Sequence, residues 1–254
     1  MDRLAFNAVA AINEQRVARQ MATNEMANAT TVGFKRSFES SVRAIEVEGA
    51  GLKTRYQPQS FTEDYIQMKA GPLMATGNPL DVAMSGSTVL GVTAANGELA
   101  FTRRGDLRLN AKGVLENGAG QVVRGQGGAP LTAPPGLNIT VQSDGSVFGQ
   151  DPAQNNANPP VQLGTLMLRD ASEIKLQRRT DGLFEAVGLP VGQDFPTGPE
   201  LPKLTPGALE GSNVNALIMM VKLIDQSRTF EQQINIIKEA KQNSEAGQAM
   251  MKPS

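Results

Sequence analysis

"VLGVTAANGELAFTRRGDLRLNAKGVLENG", residues 89–118, decides the fold. Short apolar runs alternate with turns that contain glycine. Val89–Thr93 and Leu99–Thr102 read as strands joined at Asn96–Gly97, and Leu107–Leu109 runs into a turn at Lys112–Gly113. Asn-Gly supplies the left-handed backbone that a tight hairpin needs. Working outward, "LNITVQSDGSVFG" (137–149) is a second hairpin turning at Asp144–Gly145, and "TLMLRD" and "LFEAV" add strands. The Gly- and Pro-dense middle, about 70–205, therefore predicts many short antiparallel strands, with "GQDPAQNNANPPVQ" (149–162) as a surface loop.

Both ends change period. Residues 3–29 hold no Gly or Pro, and steps of four and three from Leu4 give Ala8, Ala11, Gln15, Ala18 and Ala22, a narrow heptad seam of small residues. Val9 and Ile12 flank it on one side, Val17 and Met21 on the other. At the other end the same steps from Ala216 give Met220, Leu223, Ser227, Phe230, Ile234 and Ile237, widened by Leu217, Val221 and Ile224. This predicts a helix from about Asn213 to Glu245, capped by Ser212 or Asn213. Long helices with a one-sided stripe are marginal alone. The two seams are expected to pair with each other or with the same parts of other copies.

Composition excludes several chemistries. There is no Cys and no His, so disulfides, thiolate catalysis, Cys-ligated zinc and the commonest general base are absent. Net charge is −1, and residues 1–48 and 207–254 are each balanced, so no basic stripe for nucleic acid exists. No apolar run reaches a membrane span. The N-terminus shows no basic segment followed by an apolar core, which predicts either a cytoplasmic chain or one that leaves without a cleaved signal. Aromatics make up 4% of the residues, leaving few large anchors for a compact interior.

Candidate active residues are weak. Glu63 with Asp64, and Asp170 with Glu173, read as solvated acid pairs with no partner group nearby. "GQGG" (125–128) lacks the Lys-Ser/Thr of a phosphate loop, and "RGD" (104–106) sits inside an expected hairpin. No catalytic, cofactor-binding or metal residue is expected.

The most unusual stretch is "NEMANATTVGFK", 24–35. Read locally it ends a helix: Gly33 a left-handed cap, Asn24 and Asn28 bonding locally, Phe34 stapling the turn. It also resembles the N-terminal signature of the bacterial flagellar axial proteins, the rod and hook family, at Asn24, Ala27, Asn28, Thr31, Gly33, Phe34 and Lys35. Glu25 and Met26 depart from that pattern. "LEGSNVN" (209–215) and "RTFEQQINII" (228–237) resemble the family's C-terminal box and its continuation. "PLDVAMSG", "AFTRRGDLRLNAKGVLENGAGQVVRG" and "SDGSVFG" resemble its middle, with Thr88, Val89 and Leu90 where Gly-Phe-Phe is common. "MDRLAF", "LEGSNVNA" and the short stretch before residue 80 look most like the proximal rod members; distal rod or other axial proteins are the alternative.

The resemblance implies a mixed, mainly β fold: a β-rich domain of short antiparallel strands flanked by long N- and C-terminal helices pairing as a coiled coil. The expected divisions are a helical axial segment with signature turn (1–36), a linker (37–79), the β domain (80–206) and a second helical axial segment (207–254). It implies a non-enzymatic rod subunit that polymerises helically into the periplasmic drive shaft, after type III export without signal cleavage. Expected partners are other rod proteins, copies of itself and the export apparatus, with no nucleic acid, small-molecule substrate or membrane insertion. Expected subunit contacts are Asn24, Asn28, Thr31, Gly33, Phe34, Lys35, Leu209, Ser212, Asn213, Val214, Met220, Leu223, Phe230, Ile234 and Ile237. A cell-wall-active or secreted protein is the remaining alternative.

Overall fold

A computed structural model describes residues 2–37, 41–49, 52–61, 65–152 and 159–250. In chain order the elements are α1 (Asp2–Ala27), β1 (Ser41–Gly49), β2 (Leu52–Phe61), β3 (Leu73–Ala75), β4 (Val82–Met84), β5 (Thr88–Thr93) and β6 (Leu99–Thr102). Then follow β7 (Leu107–Leu109), β8 (Leu115–Asn117), β9 (Val122–Val123), β10 (Asn138–Val141), β11 (Ser146–Gln150) and β12 (Val161–Thr165). Last come β13 (Leu168–Asp170), β14 (Leu176–Arg178), β15 (Phe184–Ala186), β16 (Leu204–Pro206), β17 (Ala208–Glu210) and α2 (Ala216–Met250). Two compact units divide the chain: residues 28–38 with 64–214, and residues 1–27, 39–63 and 215–254.

The β unit is built on a sheet ordered β14-β15-β6-β5-β9-β8-β7, with β13 also on β5. Each hairpin expected from the sequence forms. Gly97 donates to Ala94 O, Gly113 to Asn110 O and Gly145 to Gln142 O. Asp144 adds hydrogen bonds from the Ser146 N–H and hydroxyl, which hold its carboxyl below the usual range.

The central strands are apolar on both faces because each face carries its own core. Leu90, Val92 and Ala100 join a cluster with Val82, Leu107, Leu115, Val123, Leu166 and Leu168. Val89, Leu99 and Phe101 turn the other way, onto Ile66, Met167, Leu176, Phe184 and Phe195. Phe101 and Phe195 pair with ring centroids 4.6 Å apart, so scarce aromatics are placed at one centre. Separate small sheets surround this frame: β10-β11-β12, β16-β4 and β17-β3.

The reading of one acid pair in this unit changes. Asp170 is buried, not solvated: its carboxylate accepts from Ser172 N (3.1 Å), Ser172 Oγ (2.6 Å) and Glu200 N (3.2 Å), organising the 198–200 turn. The Arg104–Gly105–Asp106 tripeptide closes on itself through a bidentate ion pair of 2.7 and 2.8 Å. Glu63, Asp64 and residues 153–158 lie outside the described residues; of the stretch expected to be a surface loop, Gly149–Gln150 and Val161–Gln162 are the ends of β11 and β12 instead.

The second unit holds α1, α2 and an antiparallel hairpin, β1–β2, which runs from the Ser41–Phe61 pair to Gly49–Leu52. That hairpin lies in the stretch expected to be a linker. Asn215 caps α2, its Oδ1 accepting from Leu217 N (3.0 Å) and Ile218 N (3.2 Å). Ser212 and Asn213, the expected caps, are engaged elsewhere.

The expected coiled coil is a correction. The chain is mainly β, with α1 and α2 the two helices among the described residues, and these touch without closing into a coiled coil. Ala22, Glu25 and Met219 are buried, whereas Leu217 and Val221 stay 74% and 59% exposed. The α1 seam explains this: Ala11, Gln15, Ala18 and Ala22 offer too little apolar surface to cover the α2 stripe. Gln15, Gln226 and Gln233 also enclose side-chain oxygens without a hydrogen-bond partner in the chain, which penalises closer approach. The seam positions Leu4 and Ala8 lie outside the residues whose side chains are described.

Candidate functional site

Three stretches far apart in sequence meet inside the β unit, around the Glu210 carboxylate at the end of β17. Lys35 Nζ lies 2.6 Å from Oε1, and Arg103 Nε and Nη2 each lie 2.7 Å from Oε2. All three side chains are fully enclosed, at 0–1% exposure. Backbone groups add further hydrogen bonds. Lys35 Nζ donates to Lys69 O (2.8 Å), Gly71 N donates to Glu210 Oε1 (3.0 Å), and Arg103 donates to the carbonyls of Met84, Gly86 and Thr88. One anion thus neutralises two buried cations. Burial, and then repulsion from Arg103, pull the Lys35 ammonium below its ordinary pKa against the attraction of Glu210. Burial likewise lowers Arg103 against the same carboxylate.

The backbone seals the same joint. Gly33 N donates to Glu210 O (2.7 Å), Asn213 N to Phe34 O (3.2 Å) and Gly211 N to Pro72 O (2.8 Å). Asn213 bridges further: its Oδ1 accepts from Arg36 N (2.7 Å), and its Nδ2 reaches Gln67 O (3.0 Å) and Lys69 O (3.2 Å). Ser212 Oγ accepts from Val214 N (3.2 Å). Gly33 is required twice over, by its φ of +68° and by an added Cβ that would stand 2.3 Å from Arg103 O. It lies beyond the end of α1 at Ala27 and so does not cap that helix. Thr31 donates from its hydroxyl to Asn28 Oδ1 (3.1 Å) and from its N–H to Asn28 O (3.1 Å), closing the turn that follows α1.

Phe34 is half-buried under Arg178, whose guanidinium stacks 4.1 Å from the ring centre and donates to Lys35 O. The structure therefore gathers Gly33, Phe34, Lys35, Ser212, Asn213 and Val214 into one joint. Leu209 stands beside it, half-buried and paired with Met74 across β17–β3. Asn24 is exposed on α1. On α2, Met220 and Phe230 are exposed and Leu223, Ile234 and Ile237 are half-buried. Ile218, Ile224 and Ile236 extend this uncovered apolar surface.

Sequence reasoning missed Glu210, Arg103 and Arg178. Glu210 lies inside the quoted "LEGSNVN" box and is its lone charge. A single acid among residues chosen for a tight turn is the signal that could have found it. Arg103 and Arg178 give none, since each looks like an ordinary strand-end cation. Among the described residues no cluster of carboxylates could hold a metal, and no helix is long and apolar enough to cross a membrane.

The geometry has comparisons to match. Residues 83–149 match the family model described as the flagellar hook protein FlgE/F/G D1 domain, and residues 205–250 the flagellar basal body rod FlgEFG protein C-terminal. The first covers the meander with Arg103; the second covers the Glu210 box and α2. The flagellar basal-body rod protein FlgF of Escherichia coli K12 is 33% identical over 250 residues, covering 96% of each chain. The Salmonella typhimurium LT2 protein of that name is 32% identical over 246 residues, again 96% of each. The chain belongs to the flagellar hook and basal-body rod family and is a structural subunit of the basal-body rod. Within that family it is most like FlgF: a FlgG rod protein from Agrobacterium fabrum matches at 29%, over 91% of this chain and 92% of the relative.

Proposed function

We propose that this chain is a proximal-rod subunit. It polymerises helically, with copies of itself and with other axial proteins, into the shaft that carries torque from motor to hook across the periplasm. It reaches that place through the flagellar type III export apparatus without signal cleavage. It works mechanically, with no catalysis, cofactor, nucleic acid or small-molecule substrate.

The observation that carries this reading is the apolar stripe that the chain leaves in solvent on α2, centred on Leu217, Val221 and Ile224. Covering Leu217, Ile218, Val221 and Ile224 supplies on the order of 5 kcal/mol before the entropy of association is subtracted. Contacts between unlike patches on successive subunits build an open helical stack. In this scheme Met220, Leu223, Phe230, Ile234 and Ile237 meet neighbours from the stripe, and Asn24 meets them from the surface of α1. Asn28, Thr31, Gly33, Phe34, Lys35, Leu209, Ser212, Asn213 and Val214 act by fixing where the chain leaves the β unit toward each helix. Within the expected divisions 1–36, 37–79, 80–206 and 207–254, α1 and α2 serve as the axial helices, the 37–79 stretch carries the β1–β2 hairpin, and the signature turn and the 207–214 box belong with the β domain.

Mass spectrometry of purified hook–basal bodies tests the reading, with Leu217→Glu and Val221→Glu beside the unaltered chain. The unaltered chain is expected at a few copies per particle in the axial fraction. Both variants are expected to fold but to be missing from it. A chain absent while other axial proteins are present, or variants that incorporate normally, would overturn the assignment.

A further inference from the structure

The Glu210 joint is held differently from the sheet beside it. Neither apolar cluster of the β unit draws on residues 28–37 or 207–214 among the described residues. These two segments are held by one buried carboxylate with two cations, by the Arg178 guanidinium over Phe34, by the β17–β3 pairing and by further backbone bonds, and their fully buried apolar side chains include only the small Ala208 and Val214. Segments with so little apolar burial open at lower free energy than a core strand. A buried ion cluster is also unequal in its parts: removing one member that leaves uncompensated charge is far worse than removing one that leaves a balanced pair. Here the unequal member is Glu210. Without it two cations remain enclosed together; without Lys35 a balanced Arg103–Glu210 pair remains.

We propose that Lys35, Glu210 and Arg103 form a latch that closes residues 28–37 and 207–214 onto the β unit as one cooperative piece. When the latch opens, both segments are released together while the long sheet stays folded. Because the chain continues from these segments into α1 and α2, the latch decides whether the two chain exits are tied side by side or free. This goes beyond the rod assignment and does not depend on it.

Native-state amide exchange on the full chain, in rising denaturant below the global transition, tests the proposal. The amides of Gly33, Gly71, Gly211 and Asn213 are expected to exchange through one shared opening, well before those of Gly91 and Phe101. In Glu210→Gln those four are expected to exchange on the order of 10²–10³-fold faster, with the sheet amides unchanged. In Lys35→Met the acceleration should stay below about tenfold. Four amides that exchange only with the sheet, a Glu210→Gln chain in which the sheet is lost too, or Lys35→Met opening the joint as far as Glu210→Gln, would each overturn the latch.

Discussion

Replacing Gly33 by alanine separates two costs that glycine usually hides together. The first is conformational: at φ +68° an L side chain costs about 1–2 kcal/mol. The second is steric. The new Cβ would stand 2.3 Å from Arg103 O and 2.5 Å from Arg104 N, both backbone atoms that cannot swing aside. Relief requires the segment to lift, which stretches the 2.7 Å bond from Gly33 N to Glu210 O; overpacking adds about 1–3 kcal/mol and the bond about 1 more.

Two other glycines isolate the parts. Gly97 has φ +85° and nothing within 4 Å, so Gly97→Ala carries the conformational cost alone. Gly71 has no left-handed φ, but its Cβ would meet Gly211 O at 2.1 Å, so Gly71→Ala carries the clash alone. Urea unfolding followed by circular dichroism should rank the losses Gly33 first, Gly71 second and Gly97 last, near about 1 kcal/mol. Exchange of the Asn213 amide, bonded to Phe34 O, reads the joint directly. It should rise on the order of 10²–10³-fold in Gly33→Ala and stay unchanged in Gly97→Ala. Gly33→Ala that costs no more than Gly97→Ala, with Asn213 still protected, would refute the reasoning.

Other substitutions probe other links. Asn215→Ala removes the α2 cap and should cost about 1 kcal/mol of helix stability, seen as reduced helical circular dichroism on warming. Phe101→Ala empties the centre of one core against Phe195 and should cost about 3–5 kcal/mol by urea unfolding. Lys35 gives a pH signature. Its folded pKa lies below the ordinary 10.5, so between the two values the unfolded chain binds more protons and the Lys35 contribution to stability rises with pH. The difference in unfolding free energy between the unaltered chain and Lys35→Met should therefore shift in favour of the unaltered chain as pH rises through that alkaline window, and level off above it.

The hairpins were legible because their signal is local. Asn96–Gly97, Lys112–Gly113 and Asp144–Gly145 each place a glycine between alternating runs, and the backbone follows. The stripe on α2 was legible because it repeats. The hairpin formed by β1 and β2 was not read: Gly49 and Gly51 are a turn signal in the sequence, but Pro58 and scattered charges mask the strands on either side. The cap failed for a related reason. Ser212, Asn213 and Asn215 are all good caps, and only the positions of Gln67, Lys69 and Arg36 decide which one is left for the helix. The ion cluster was least legible, since Lys35 and Glu210 are 175 residues apart and charge in a balanced chain advertises no partner. The heptad period led to the expectation of pairing, and the resemblance to that of a coiled coil, whereas closure depends on area, and Ala with Gln does not provide it.

The row Ser212–Asn213–Val214–Asn215 has a consequence for insertions and deletions. Each member has a separate target: the Val214 amide, the 67–69 backbone, the interior and the first turn of α2. Removing one residue here would leave three side chains for four targets, so at least one of those partners would lose its contact. The box is read by position as well as by residue type, and its length is constrained as tightly as its composition.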